Sequence, residues 1–136
     1  MSDQGYEVLL VEDDVWLGEL YKDTLEADER CHVVWAKTAE QALAFLDENP
    51  GINLILLDMF LPEHNGIEFL HEVASYTDTN TKPVVVISSV YQHDFAVSIE
   101  RWRSYGVVEY LYKPTTKPEQ LLVKVKKLVA EGVLLP

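Results

Sequence analysis

Five short apolar runs limit most strongly what this chain can fold into. They are YEVLLV (6–11), HVVWA (32–36), INLILL (52–57), VVVI (84–87) and VVEYLY (107–112). Most are continuously apolar rather than alternating. A strand that is apolar on both faces belongs in a parallel sheet covered by helices on each side. The segments between the runs have the helical period instead. Leu17, Leu20, Tyr21 and Leu25 fall on one face, with Asp14 placed to cap. Ala39, Ala42, Leu43 and Leu46 follow the cap Thr38, and Asn49-Pro50-Gly51 stops that helix. Ile67, Leu70 and Val73/Ala74 make the third stripe. Phe95, Ile99 and Trp102 make the fourth, ended by Gly106, and Leu121, Leu122, Val125, Leu128 and Val129 make the last. Strand and helix alternate to the end, which predicts an α/β fold, a doubly wound (βα)5 domain. Its crossovers are right-handed, and ligands bind beyond the carboxyl ends of the strands.

The length, 136 residues, predicts one domain over 1–136, with its core between 6 and 130. No repeat, low-complexity tract or linker interrupts it. No apolar run approaches the ~18 residues of a membrane span, and MSDQGYEVLL lacks a basic leader region. Cys31 is the only cysteine, so no intrachain disulfide forms, and a reducing cytoplasm is the expected location. The net charge of −12 argues against nucleic-acid binding by this segment. That charge is uneven: residues 1–80 carry 3 Lys/Arg against 18 Asp/Glu, and residues 81–136 carry 8 against 5. An acidic surface for solubility explains this as well as a cation site does.

The strand ends carry the chemistry. The first run ends in Glu12-Asp13-Asp14, the third in Asp58, the fourth in Ser88 and the fifth in Lys113-Pro114. Any one of these alone reads as a solvated or capping residue. Delivered together to one rim of a parallel sheet, they form a site. Glu12, Asp13 and Asp58 crowded together raise one another's pKa unless a cation neutralises them. Mg2+ suits oxygen ligands of this kind and leaves room for a phosphate oxygen. Asp58 is then a nucleophile for phosphorus, Lys113 supplies positive charge to the transferring group, and the Ser88 hydroxyl donates to it. Asp14 reads as a helix cap rather than a ligand. His64, His71 and His93 have no spacing that suggests zinc. His32 and Cys31 read as structural. Trp102 and Tyr105 fit the core or a partner surface equally well.

The stretches LLVEDD, LILLDMFLPEHNG, PVVVISS and EYLYKP, in this order and spacing, resemble the receiver domain of bacterial response regulators over residues ~6 to ~130. The resemblance implies a flavodoxin-like five-stranded parallel sheet of order 2-1-3-4-5. It implies that Asp58 is the phosphoacceptor in a two-component phosphorelay. Asp13, Asp58 and the backbone carbonyl of Phe60 would bind Mg2+ directly, and Glu12 through water. Ser88 and Tyr110 would form the switch pair, Lys113 would match the family's lysine, and the Lys113–Pro114 peptide would be cis. Phe60 and Val90 would flank the phosphoryl and slow attack by water. The implied donor is a sensor histidine kinase or a histidine phosphotransfer protein. The implied response is a change in the surface of the fourth helix, fifth strand and fifth helix, with a homodimer through that surface. Such a domain is a signalling switch that catalyses its own phosphorylation and dephosphorylation, not an enzyme acting on a separate substrate.

Three other classes compete. A haloacid-dehalogenase-type phosphatase requires a second Asp two residues after the nucleophile, where this chain has Phe60. A flavodoxin-like FMN binder requires a Ser, Thr or Gly-rich phosphate loop after the first strand, where this chain has three acids. The third alternative is a phosphorylation-independent interaction domain of the same fold. The complete acidic set with Ser88 and Lys113 weighs against it. Whether the chain acts alone or as the receiver of a longer regulator is open.

Overall fold

The computed structural model describes residues 5–60, 65–76 and 82–132. Five parallel strands are β1 (Tyr6–Val11), β2 (Cys31–Ala36), β3 (Ile52–Asp58), β4 (Val84–Ser88) and β5 (Val107–Tyr112). They stand in the order β2-β1-β3-β4-β5. Five helices connect or follow them: α1 (Val15–Glu26), α2 (Ala39–Glu48), α3 (Gly66–Tyr76), α4 (Ile99–Ser104) and α5 (Pro118–Glu131).

The apolar runs fill two cores, one on each side of the sheet. Val8, Leu10, Leu54, Leu56, Val85 and Ile87 meet Tyr21 and Leu25 of α1 and Leu121 and Val125 of α5. Leu9, Val11, Ile55, Leu57, Val84 and Val86 meet Ala39 and Ala42 of α2, Phe69, Leu70 and Val73 of α3, and Trp102 of α4. Successive residues of one strand thus serve opposite cores, which is why the runs show no polar alternation. Each fully buried side chain of this size contributes about 1.5–3 kcal/mol. Trp102 and Tyr105 are core residues, at 2% and 6% exposure. Cys31 is buried, and burial pushes its thiol up to about 11, which keeps it unreactive.

Several expectations need correction. Leu20 does not face inward. It is 45% exposed, and Gly18 takes the inner position because the indole of Trp35 lies against it. A Cβ on Gly18 would collide with Cζ2 of Trp35, so only glycine fits. In α3 the fully buried Phe69 joins the inner face. Phe95 is not helical. The chain after β4 makes a short 3-10 turn at Gln92–Asp94, and α4 begins only where the Ser98 side chain accepts from the Arg101 N–H at 3.1 Å. That cap fixes the helix start, so Phe95 packs from outside it and Ile99 is left 64% exposed. Pro62, His64 and the Val133-Leu134-Leu135 end lie outside the described residues.

Candidate functional site

The carboxyl ends of β1, β3, β4 and β5 converge as the chain order requires. Glu12 and Asp58 are almost completely buried, at 1% and 5% exposure, whereas Asp13 is exposed. Ligand atoms of Glu12, Asp13 and Asp58 all lie within 4.8 Å of one another, the one such acidic group among the described residues. The Lys113 ammonium reaches between two of them, 3.2 Å from Glu12 Oε1 and 3.4 Å from Asp58 Oδ2.

Local structure holds each acid differently. Glu12 continues the β1–β2 ladder by donating its N–H to the Ala36 carbonyl at 3.0 Å. Its other carboxylate oxygen accepts from the Asp14 N–H at 3.2 Å. Asp14 is the cap of α1, accepting from the Leu17 N–H at 3.1 Å, so its carboxylate is engaged away from the site. Asp58 Oδ1 accepts from the Phe60 N–H at 3.1 Å. The return into α3 is close: Gly66 donates to the Met59 carbonyl at 2.6 Å, and a Cβ there would strike Met59 at 2.6–2.8 Å. Asn65 then caps the helix, accepting from the Glu68 N–H at 2.9 Å.

The electrostatics favour a cation. Burial, and then the neighbouring Asp58, push the Glu12 carboxyl up to about 8, against the pull of Lys113 and the Asp14 N–H. Without an ion, ionising Glu12 beside Asp58 is therefore costly. For Lys113, burial acts to lower the pKa, but the attraction of Asp58 and Glu12 outweighs it and the net shift is upward. One ammonium does not balance three acids. The oxygen donor set, its spacing and this excess of negative charge fit a hard divalent ion such as Mg2+.

Ser88 is fully buried, and its oxygen accepts the Val90 N–H at 3.1 Å. Its hydroxyl also lies against that of Tyr110, placed to donate to it. Tyr110 is half-buried, and its hydroxyl donates to the Val90 carbonyl at 2.6 Å. The two residues paired as a switch thus hold one residue of the β4–α4 segment from both sides. Phe60 is 48% exposed, and its ring lies 6.1 Å from that of Phe95. Phe95 in turn meets Trp102 at 5.9 Å and Tyr110 at 6.3 Å.

The Lys113–Pro114 peptide is trans, contrary to the cis bond expected. Trans is the ordinary preference before proline, by about 0.5–1 kcal/mol. Here a 3-10 turn over Lys113–Thr115 reverses the chain, with Thr116 donating its N–H to the Lys113 carbonyl at 3.2 Å. The Thr116 hydroxyl donates to the Tyr112 carbonyl at 2.8 Å. Two further features escaped sequence reasoning. The Trp35 indole N–H donates to the Glu12 carbonyl at 2.9 Å. Tyr91 stacks on Tyr112 beside Lys113, with centroids 4.1 Å apart. Both depend on neighbours that spacing along the chain does not reveal.

Residues 8–126 match the family described as the response regulator receiver domain. The chain belongs to that family. It is 38% identical over 108 residues to the transcriptional regulatory protein MalR of Bacillus subtilis, covering 79% of this chain and 43% of MalR. It is 33% identical over 124 residues to the transcriptional regulatory protein CpxR of Klebsiella pneumoniae, covering 90% of this chain and 49% of CpxR. The chain therefore spans about half the length of these curated relatives. Among solved structures, a CheY-like receiver domain protein from Methanospirillum hungatei superposes with a TM-score of 0.76 at 28% identity, over 95% of this chain and 97% of that one. The strand order β2-β1-β3-β4-β5 is that of the flavodoxin-like receiver fold. The receiver thus serves two-component signalling, and its acidic cluster is compatible with Mg2+.

Proposed function

We propose that Asp58 accepts a phosphoryl group from the phosphohistidine of a sensor histidine kinase or a histidine phosphotransfer protein. The observation that carries this reading is the convergence of Glu12, Asp13 and Asp58 within 4.8 Å, with Lys113 between Glu12 and Asp58. In the transfer, an Asp58 carboxylate oxygen forms a bond to phosphorus. The phosphorus–nitrogen bond breaks, and its electron pair returns to the imidazole. Asp13, Asp58 and the Phe60 carbonyl would hold Mg2+, with Glu12 acting through water. The ion would supply charge that lowers repulsion between the Asp58 carboxylate and the incoming phosphoryl.

The remaining residues act directly on the group. Lys113, paired with Glu12 and Asp58, supplies an ammonium to a phosphoryl oxygen. Ser88 turns its hydroxyl hydrogen from Tyr110 to another. Because Val90 is bonded to Ser88 through its N–H and to Tyr110 through its carbonyl, movement of Ser88 pulls on the segment that Tyr110 holds. The surface of α4, β5 and α5 then changes population, and a homodimer through it is the associated output. This reading places the chain in a cytoplasmic relay, as a switch rather than an enzyme with a separate substrate.

The test is incubation with acetyl phosphate, with and without Mg2+, read by intact mass, alongside Asp58→Asn. One added phosphoryl that requires both Mg2+ and Asp58 is the expected result. Labelling that persists in Asp58→Asn refutes the assignment. No labelling, under conditions that label another receiver, turns the reading to a phosphorylation-independent interaction domain.

A further inference from the structure

Trp35 has a place at the site that neither charge nor catalysis explains. It lies in β2, opposite Leu10 of β1. Its indole N–H donates to the main-chain carbonyl of Glu12 at 2.9 Å. The ring lies against Gly18, where any Cβ would collide with it, and the Lys37 ammonium lies 5.0 Å from the ring centroid. The ring is thus fixed in position, and α1 accommodates it with a residue that has no side chain.

The Glu12 carbonyl and the Asp13 N–H belong to one rigid peptide plane. A bond that fixes the carbonyl therefore fixes the direction in which Asp13 leaves the strand. Among the described residues, no hydrogen bond or ion pair holds the Asp13 carboxylate itself. Glu12, by contrast, is held through its N–H and both carboxylate oxygens. The orientation of Asp13 depends on the backbone at this turn, and Trp35 is the side chain that ties it.

We propose that Trp35 is a positioning residue: its indole N–H sets the Glu12–Asp13 peptide so that Asp13 faces Asp58, preorganising the cation site. The inference rests on the proposed Mg2+ site, but its geometric part can be tested without an ion. Trp35→Phe keeps an aromatic ring against Gly18 and removes the donor. Loss of one such bond corresponds to about a five-fold change in an equilibrium constant. The expected result is a Mg2+ dissociation constant raised about five-fold in Trp35→Phe, measured by calorimetry. In the metal-free chain, the Asp13 amide resonance should also shift. Val33→Ala, which opens space in the same core from the same strand, controls for a general loss of packing. It should lower the urea midpoint and leave the Mg2+ constant unchanged.

Equal Mg2+ affinity in Trp35→Phe and the wild-type chain overturns the proposal, as does an equal loss in Val33→Ala. If the wild-type chain binds no Mg2+, the proposed function falls. The Asp13 resonance in metal-free Trp35→Phe then still decides whether Trp35 orients that turn: a shift upholds the orientation, and an unmoved resonance overturns it.

Discussion

The two halves of the rim are built differently. On the β1–β3–β5 side, Glu12, Asp58 and Lys113 are buried or half-buried and bonded to one another and to the main chain within 3.0–3.4 Å. On the β4–α4 side, ten residues from Ser89 to Ser98 hold only a three-residue 3-10 turn before a six-residue helix. That segment is tied down by the hydroxyls of Ser88 and Tyr110 and by ring contacts of Tyr91 and Phe95. The contrast matches two tasks. Chemistry needs donors and charges already in place, because reorganising them during reaction is costly. A switch needs an element whose alternatives differ by only a few bonds.

If the first half is preorganised, removing its ammonium should be the most damaging change short of removing Asp58. Lys113→Met leaves Asp58 and Glu12 without their shared cation. Loss of one such charge-stabilising group typically costs about 100-fold in rate. Labelling of Lys113→Met by acetyl phosphate at saturating Mg2+ should slow by about that factor. A rate within about two-fold of wild type would show that the metal alone carries the charge.

The same half should also reveal its unbalanced charge as a pH dependence. Burial and Asp58 raise the Glu12 carboxyl from 4.5 to about 8 in the folded chain. The folded chain therefore binds a proton more tightly than the unfolded chain between those values, and stability falls as pH rises through that window. In EDTA, the unfolding free energy from urea titration should drop by about 3 kcal/mol between pH 5.5 and 8.5. Glu12→Gln should flatten the profile, and Mg2+ should do the same by stabilising the ionised form. A profile in wild type that is equally flat with and without Mg2+ would refute the charge imbalance.

The preorganised half was also the more legible one in the sequence. Glu12, Asp13, Asp58, Ser88 and Lys113 follow apolar runs, and a parallel sheet brings the ends of such runs to one rim whatever the side-chain details. The Phe95, Ile99 and Trp102 spacing was a sound helical period, but the Ser98 cap overrode it. The same periodicity points Leu20 inward, but the Trp35 ring occupies the space beside Gly18 instead. The Lys113–Pro114 geometry is set by hydrogen bonds of Thr116 to Lys113 and Tyr112, which no motif encodes. The Trp35 contact needs the β1–β2 register, which fixes Leu10 opposite Trp35 and is invisible to spacing along one strand.

The mildest change should fall on the second half. Tyr110→Phe keeps the ring among Phe95 and Trp102, at 6.3 and 5.7 Å, and removes the donor to the Val90 carbonyl together with the hydroxyl contact to Ser88. The cost is that of one partly buried hydrogen bond, about 1 kcal/mol. Global stability should change little, since the two cores are untouched. Local opening of the β4–α4 segment should become easier, so amide exchange across residues 89–98 should quicken about five-fold. The rate of Asp58 labelling should stay at the wild-type value, because Tyr110 touches none of the three acids or Lys113. Faster exchange with unchanged labelling would separate the two halves as chemistry and response. Slower labelling would mean that the β4–α4 segment helps build the phosphoacceptor site itself, and the division between the halves would have to be redrawn through Ser88.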